Sequence, residues 1–590
     1  MTTLATVRGG SWLIEETAVE SVFTPEQLSD EHRLIGQTAD EFVTNEVQPA
    51  LDRLEQKDWQ LAKTLVRRAG ELGLLGTDVS DEFGGVGLDK VASIVVGESM
   101  GRAASFATTF GAQTGLAITP IVCFGTAAQK AQYLSRLVNG ELVGAYALSE
   151  SGSGSDALGA KARATRQPDG SFTITGEKMW ITNGGFADLF IVFAKVVGEG
   201  ADGFTAFLVE RSFPGVSNGK EEHKMGLHGS STTPLILQDA RVPAENVLGE
   251  IGKGHKVAFN VLNYGRFKLA AMCSGGARAI VGDAAKYAAQ RKQFGQAIAE
   301  FGAIKHKLAE MAIRAFAVQS MLYRTGAMID QAIEAQGSAS AGDAVLAALE
   351  EFAIEASILK VAGSEMIDYA VDENVQIHGG NGFVRDYPAE RMYRDARVNR
   401  IFEGTNEINR LLIPGMLIRR ALKGALPLIP AAKKLQDEIL TPSLAEPPSD
   451  EPLENARRTV TAIKKVSLMV LGTAMQTYGE KLSDQQELLT LSADIITDVF
   501  ACESVVLRAM QMPAHQSALG IAAAEVYVSD AAGRIEIAAR SALAAMADGD
   551  TLRTLLAALR RLLKPAPVNT VTRRRQIADA IIERKAYPYA

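Results

Sequence analysis

Apolar positions recur at helical spacing along most of this chain, and the exception is one central stretch. From Thr24 to about Leu142 the sequence reads as helices, as in TPEQLSDEHRLIGQTADEFVTNEV. Thr24-Pro25-Glu26 gives that region a cap followed by proline in the first turn. Glu82–Leu88 (EFGGVGL) is a glycine loop. Phe106 to Ile118, rich in Ala, Thr and Gly, reads as a small-residue helix ending before Pro120. Small residues allow close approach, so this helix is either a pocket wall or a tight packing surface. From Val143 to Gly252 the pattern shortens to β-rich runs, FTITGEKMWITNGG, DLFIVFAKVV and FTAFLVE, split by Gly, Asn and Asp turns. That predicts a compact domain of short antiparallel strands. Helical spacing returns from about His255 to Arg420, with long runs such as ALEEFAIEASILKVAGSEMIDYAVDENVQIHGG. Six prolines between Pro427 and Pro452 read as a linker, and Glu454 to Arg584 as a separate Ala-rich helical domain. The expected organisation is an N-terminal extension (1–23), an α domain (24–142), a β domain (143–254), a second α domain (255–425), a Pro-rich linker (426–453) and a C-terminal helical domain (454–590).

Composition narrows the function. With 590 residues, 47% of them hydrophobic, the chain can build several cores. A net charge of −8 is mild for this size and argues against nucleic acid as a main partner. Cys123, Cys273 and Cys502 lie far apart and read as buried thiols of a reducing compartment. The seven histidines show no metal-ligand spacing, so no metal site is expected. The first 23 residues are too acidic, and their apolar run too short, for a signal or transit peptide. No apolar stretch reads as long enough to span a membrane. A cytoplasmic bacterial protein is the simplest expectation.

The chemistry concentrates in Arg391–Arg410, RMYRDARVNRIFEGTNEINR. Glu403 follows the apolar pair Ile401-Phe402 and precedes Gly404-Thr405, where one helix ends and another begins. Thr405 is an expected N-cap. A carboxylate held there against apolar neighbours has a raised pKa and suits general-base work. The bland alternative is that Glu403 answers Arg391, Arg394, Arg397 and Arg400. SESGSGSD (Ser149–Asp156) is a loop of small residues that can cradle phosphate or edge-bond a flat polar ring, or else is a surface turn. No GxGxxG follows a strand, so no Rossmann site is indicated.

AYALSESGSGSD (Ala145–Asp156), KMWITNGG (Lys178–Gly185), RKQFG (Arg291–Gly295), QIHGGNGF (Gln376–Phe383) and IFEGTNEINR (Ile401–Arg410) occur in this order. The array resembles the acyl-CoA dehydrogenase family from about Thr24 to about Arg420, and the tail beyond narrows the resemblance to the very-long-chain type. The resemblance implies a mostly α fold with a central β-barrel domain, a four-helix α domain and an extra C-terminal helical domain. It also implies FAD-dependent dehydrogenation of long-chain acyl-CoA to trans-2-enoyl-CoA in β-oxidation, with electrons passed to an electron-transfer flavoprotein. By the same resemblance, Tyr146, Leu148, Ser149, Gly154, Ser155, Trp180, Ile181 and Thr182 contact FAD. Trp180 lies against the flavin ring, and Ser149 and Thr182 bond its edge. Arg291, Gln293 and Phe294 meet the pyrophosphate of the neighbouring subunit's cofactor, Gln376, Ile377, Gly379 and Gly380 the adenosine end, and Thr405 and Glu407 close the site. One departure is Ser151, where the family usually has proline.

Glu403 is the expected base that removes the α-proton. Some family members carry the base on the helix that here reads NVLNYGRFKLA; the corresponding place is Gly265, so that alternative is absent. Ser155, Asn263, Arg266 and Gly404 are expected on the substrate side, with Arg266 either a substrate contact or purely structural. Thr108, Thr109, Gly111 and Ala112 imply a deep acyl channel. The C-terminal extension implies a homodimer. Peripheral contact with the inner membrane is a second reading of the basic segment around Met416-Leu417-Ile418 (Arg419, Arg420, Lys423) and of the basic C-terminus; a solvated or salt-bridged surface is the other. Two rivals stand beside the dehydrogenase: an acyl-CoA oxidase, and a non-catalytic flavoprotein scaffold.

Overall fold

The computed structural model describes residues 7–198, 203–337, 340–440 and 447–589. Helices of the first α domain begin with Asp30–Phe42, capped by Ser29, whose hydroxyl accepts the His32 amide. Thr24 instead caps a short 3-10 turn, Pro25–Gln27. The small-residue helix does not stop before Pro120. A helical turn (Ala104–Gly111), a π segment (Ala112–Ile118) and a further turn (Thr119–Phe124) run on as one rod. The π segment shifts the bonding register, and proline near the start of the following turn has no N–H to satisfy. This rod, Ala104–Phe124, is also long and apolar enough to cross a membrane by composition, with mean hydropathy 1.2, contrary to the sequence reading. It is 72% buried inside the protein, so here it is a core helix.

The middle domain is an eight-stranded sheet: β1 Gly144–Ala147, β2 Arg163–Arg166, β3 Phe172–Thr182, β4 Leu189–Val197, β5 Gly203–Glu210, β6 Val216–Asn218, β7 Thr232–Val242 and β8 Val247–Leu248. Its order is β6-β7-β3-β2-β4-β5-β8, with β1 alongside β4, so the pairing path has two ends rather than a closed ring. Most pairs are antiparallel as expected, but β1 and β2 both run parallel to β4. Two side chains tie the sheet to the first α domain. Gln113 accepts the Gly144 amide at 2.6 Å, and Asn183 Nδ2 donates to the carbonyls of Thr109 (3.2 Å) and Gly144 (3.1 Å).

The second α domain is built on Gly254–Gln290, Gly302–Ala335 and Ala353–His378, followed by Asn406–Leu422. The extra C-terminal helices pack closely on this domain. Gln486–Gln511 packs on Gly302–Ala335 and Asn406–Leu422, and one hydrophobic core runs through both regions. Buried ion pairs stitch the seam: Arg324 with Glu503 at 2.7 Å, and Arg508 with Glu26 at 2.8 Å. The N-terminal extension is part of this seam. Trp12 Nε1 donates to Glu355 at 2.8 Å, and its indole packs on Phe500 with centroids 4.6 Å apart. The 426–453 stretch holds a helix, Leu428–Leu440, packed on Glu454–Tyr478, so its first half is not a linker. Pro427 sits just before that helix and Pro430 in its first turn, where proline is tolerated. Pro442 and its neighbours 441–446 lie outside the described residues, as do residues 1–6 of the extension.

The segments read as membrane-facing are engaged inside the protein. Leu417 is fully buried, and Arg420 pairs with Glu351 at 2.8 Å. In the basic C-terminus, Arg553 pairs with Asp550, Arg573 with Glu525, and Arg574 with Glu310 and Asp530. These pairs lie within one chain, while Arg419 and Lys423 stay exposed.

Candidate active site

The turn at Glu403 is held in left-handed backbone: φ is +58° at Glu403 and +78° at Gly404. For glutamate that conformation costs on the order of 1–3 kcal/mol, so its surroundings must enforce it. Arg266 Nε donates to the Glu403 carbonyl at 3.0 Å. Asn409 Nδ2 donates to the carbonyls of Gly404 and Thr405 at 2.8 and 3.0 Å. Thr405 is the N-cap of Asn406–Leu422, accepting the Ile408 amide at 3.3 Å. A Cβ on Gly404 would lie 3.2 Å from Asn409 Nδ2 and 3.3 Å from Arg266 Nη2, which explains the glycine.

This scaffold aims the carboxylate at Gly265. A Cβ there would stand 2.7 Å from Glu403 Oε2. Glycine at 265 therefore makes room for the acid. Glu403 Oε2 is sealed from solvent and has no hydrogen-bond partner. Among the described residues no arginine or lysine forms an ion pair with it. Arg391, Arg394 and Arg400 go to Asp52, Glu390 and Asp368, which removes the bland reading. Burial pushes the Glu403 pKa up to about 7, against the opposing charges of Arg266 and Lys360. Lys360 is itself buried, which lowers its pKa to about 8, and it donates to Asn406 Oδ1 at 2.6 Å.

Glu403 closes one wall of a cavity of about 90 Å³. Gly101, just before the Ala104–Phe124 rod, and Ala104, Ala107, Thr108, Gly111, Ala112 and Leu116 within it line one side. Gly265, Lys268, Leu269, Met272 and Cys273 line the other. Thr109 points away from it. Thr182, at the end of β3, also lines the cavity. Just before it, the β3–β7 register slips between Lys178 and Ile181, and Trp180 sits in that slip at φ +58°. A bulge of this kind re-aims a side chain, and Trp180 is 56% exposed. Ile181 turns into the core. Tyr146 lies near enough to feel the charge of Glu403, with its hydroxyl donating to the Ala258 carbonyl at 3.3 Å. Leu148 and Ser149 run beside β3, the Ser149 carbonyl accepting the Met179 amide at 2.9 Å. Gly154 and Ser155 are exposed in the loop that follows. Glu150 anchors that loop to buried Lys178 at 2.7 Å.

Asn263 and Arg266 do not line the cavity. Asn263 Oδ1 accepts Arg266 Nη1 at 3.0 Å, and both side chains are buried behind the turn. Arg266 holds the Glu403 carbonyl and Asn263 holds Arg266, the structural one of the two roles expected for Arg266. Lys268 and Lys360 carry no motif that singles them out; Asn406 and Asn409 lie inside IFEGTNEINR, but only the folded turn shows what they hold.

Arg291, Gln293 and Phe294 form an exposed hairpin after Gly254–Gln290, with Phe294 95% exposed at φ +54°. Gln376, Gly379 and Gly380 are exposed near it, and Ile377 is buried. Tyr287 stacks on His378 with centroids 4.0 Å apart and joins the two segments. Gly265 and Arg291 are separated by about 39 Å of helix, at 1.5 Å per residue. Within one chain Arg291 therefore stands a long helix away from Glu403. Glu407 is exposed in the first turn of the helix that Thr405 caps. Among the described residues no three His, Cys, Asp or Glu side chains converge as a metal site.

Helical domains flank a sheet, and the Glu403 carboxylate stands on the wall of a cavity they share with it, an arrangement suited to general-base chemistry. The chain matches, in order, the acyl-CoA dehydrogenase N-terminal domain over residues 29–141, the middle domain over 145–240, and C-terminal domains over 252–417 and 462–561. It belongs to the acyl-CoA dehydrogenase family. It is 46% identical over 587 residues, 98% of each chain, to a probable acyl-CoA dehydrogenase of Bacillus subtilis (strain 168). Human mitochondrial very long-chain specific acyl-CoA dehydrogenase is 41% identical over 372 residues, which is 62% of this chain and 53% of that one. A crystal structure of acyl-CoA dehydrogenase from Bacillus anthracis complexed with FAD shares 48% identity and a TM-score of 0.96, covering 98% of this chain and 100% of that one.

Proposed function

We propose that this acyl-CoA dehydrogenase binds FAD, converts long-chain fatty acyl-CoA to trans-2-enoyl-CoA in β-oxidation, passes its electrons to an electron-transfer flavoprotein and works as a homodimer in a bacterial cytoplasm. The observation that carries this reading is the Glu403 carboxylate, its Oε2 sealed from solvent and without a hydrogen-bond partner, on the wall of a mostly apolar cavity. A carboxylate with a pKa near 7 is poised to take a weakly acidic proton at neutral pH. The α-carbon of a thioester laid between Gly265 and Thr182 would meet it.

The residues fit a flat aromatic cofactor. Trp180 offers an exposed indole beside Thr182, and exposed backbone of the Ser149–Asp156 loop lies next to both. Bound there, FAD supplies the hydride acceptor that the chain's own side chains lack. Tyr146, Leu148, Ser149, Gly154, Ser155, Trp180, Ile181 and Thr182 would hold its flavin end. Arg291, Gln293 and Phe294 stand a long helix away from Glu403, and Gln376, Ile377, Gly379 and Gly380 lie beside them through the Tyr287–His378 stack. A second copy of the chain brings them to this site, and this is the support for a dimer. Thr405 and Glu407 flank the base as the wall of that site. Thr108, Gly111 and Ala112 keep the acyl side open, which supports a long chain. The test is anaerobic mixing with palmitoyl-CoA: the flavin absorbance near its visible maximum falls, and the reduced protein is reoxidised faster by electron-transfer flavoprotein than by oxygen. Equal or faster reoxidation by oxygen identifies an oxidase instead.

A further inference from the structure

The apolar cavity in front of Glu403 contains one group that a plain hydrocarbon chain cannot satisfy. Lys268 lines it, is only 7% exposed, and makes no hydrogen bond or ion pair with any described residue. Its ammonium lies 5.0 Å from the centre of the Tyr264 ring. Its stem passes the small-residue rod, with Cδ 3.6 Å from where a Cβ on Gly115 would be. Asp78 is the nearest source of negative charge, but Asp78 Oδ2 is taken by Lys90 at 2.6 Å and by the Tyr264 hydroxyl. The other carboxylates on the cavity are Glu403, facing Gly265, and Asp395, which accepts the Leu227 amide at 2.5 Å. Leu116, Leu269, Met272 and Phe402 are apolar.

Among the described residues the only compensation for this ammonium is the Tyr264 ring and the charge of Asp78, and a methyl-ended acyl chain filling the cavity adds none. Lys268 stands one helical turn beyond Gly265, the residue that meets the base. Positions three apart on a helix face the same way, with Cβ atoms about 5–6 Å apart. Taking the cavity as the acyl chamber, as proposed above, we infer that Lys268 reads the far end of the acyl group and selects thioesters whose tail carries a carboxylate. The α-carbon lies at Glu403, and the terminal carboxylate lies several carbons on, against the Lys268 ammonium. A plain long chain must instead carry its methylenes past that charge.

The test compares CoA monothioesters of dicarboxylic acids with plain acyl-CoA of equal length, from adipyl and hexanoyl through sebacyl and decanoyl, using the full holoenzyme. In wild type, kcat/KM for the dicarboxylic member exceeds its plain partner at one length or more, by about ten- to hundredfold, the range of a charged hydrogen bond. Lys268→Met lowers that ratio at least about tenfold, and Lys268→Arg largely preserves it. Calorimetric binding of suberyl-CoA and octanoyl-CoA to the Glu403→Gln holoenzyme reproduces the same order without turnover. Ratios at or below one across the wild-type series overturn the proposal, whether or not the variants fold. So does an unchanged ratio in a folded Lys268→Met protein. If neither substrate series bleaches the flavin, the acyl-CoA reading falls along with it; bleaching by plain chains alone overturns only the role of Lys268.

Discussion

Replacing Glu403 by glutamine should stabilise the protein at high pH while abolishing turnover. The carboxyl pKa rises from 4.5 to about 7 because burial disfavours the charged form. At 1.36 kcal/mol per unit, a shift of that size corresponds to about 3 kcal/mol. A raised pKa means that the folded state holds the proton more tightly than the unfolded chain. The favourable contribution is therefore complete below about pH 4.5 and is lost as pH climbs through about 7. Glutamine keeps the shape and never ionises. Thermal melts of the holoenzymes from pH 5 to pH 8.5 check this. Glu403→Gln should melt close to wild type at pH 5 and above it at pH 8.5. The gap should be a few degrees at most, since 1 kcal/mol moves the midpoint of even a 150–250-residue protein by only about 2–4 °C. A variant that melts lower than wild type at pH 8.5 would show that ionised Glu403 makes a favourable pair, and the reasoning from burial would fail.

Other outcomes follow from the same geometry. Arg266→Ala removes the donor that fixes the Glu403 carbonyl and a charge that lowers its pKa; it should cost about 1–3 kcal/mol of stability and move the pH midpoint of flavin reduction upward, and a midpoint that moves down refutes it. Arg291→Ala should lower flavin content and weaken the dimer together, as read by absorbance ratio and sedimentation; full flavin in an intact dimer counts against a shared site. Deleting the chain beyond Leu440 strips the cover from Gly302–Ala335 and Asn406–Leu422 and exposes a large apolar face. Light scattering should show aggregates or higher oligomers that still bind FAD; a monodisperse dimer with full long-chain activity contradicts the shared core.

The turn at Glu403 was legible because its parts are local. An apolar pair, an acid, a glycine and a capping threonine announce a helix junction without tertiary information, and Glu403 and Thr405 stand at one. The β-rich runs were legible from their period. Long-range contacts were not. Trp12 gives no hint that its partners are Glu355 and Phe500, and Arg508 none that it reaches Glu26. Composition placed a linker around the prolines, but proline at a helix start is compatible with Leu428–Leu440. Pro120 misled in the same way, because the π turn before it removes the usual reason to stop. Asn263 and Arg266 were placed on the substrate side by resemblance, with a structural role for Arg266 as the alternative; they flank Gly265 on its helix, and only the folded turn shows Arg266 holding the Glu403 carbonyl. Lys268 is invisible as a site in sequence, where a lysine on a helix normally means solvent.

The central claim is that Glu403 takes the α-proton of an acyl thioester. Stopped-flow anaerobic mixing of palmitoyl-CoA with wild type and Glu403→Gln, matched for flavin content, tests it directly. Wild type should bleach its flavin, and the variant should do so at least about 10²–10⁴ times more slowly. A variant that bleaches at a near wild-type rate would contradict the account.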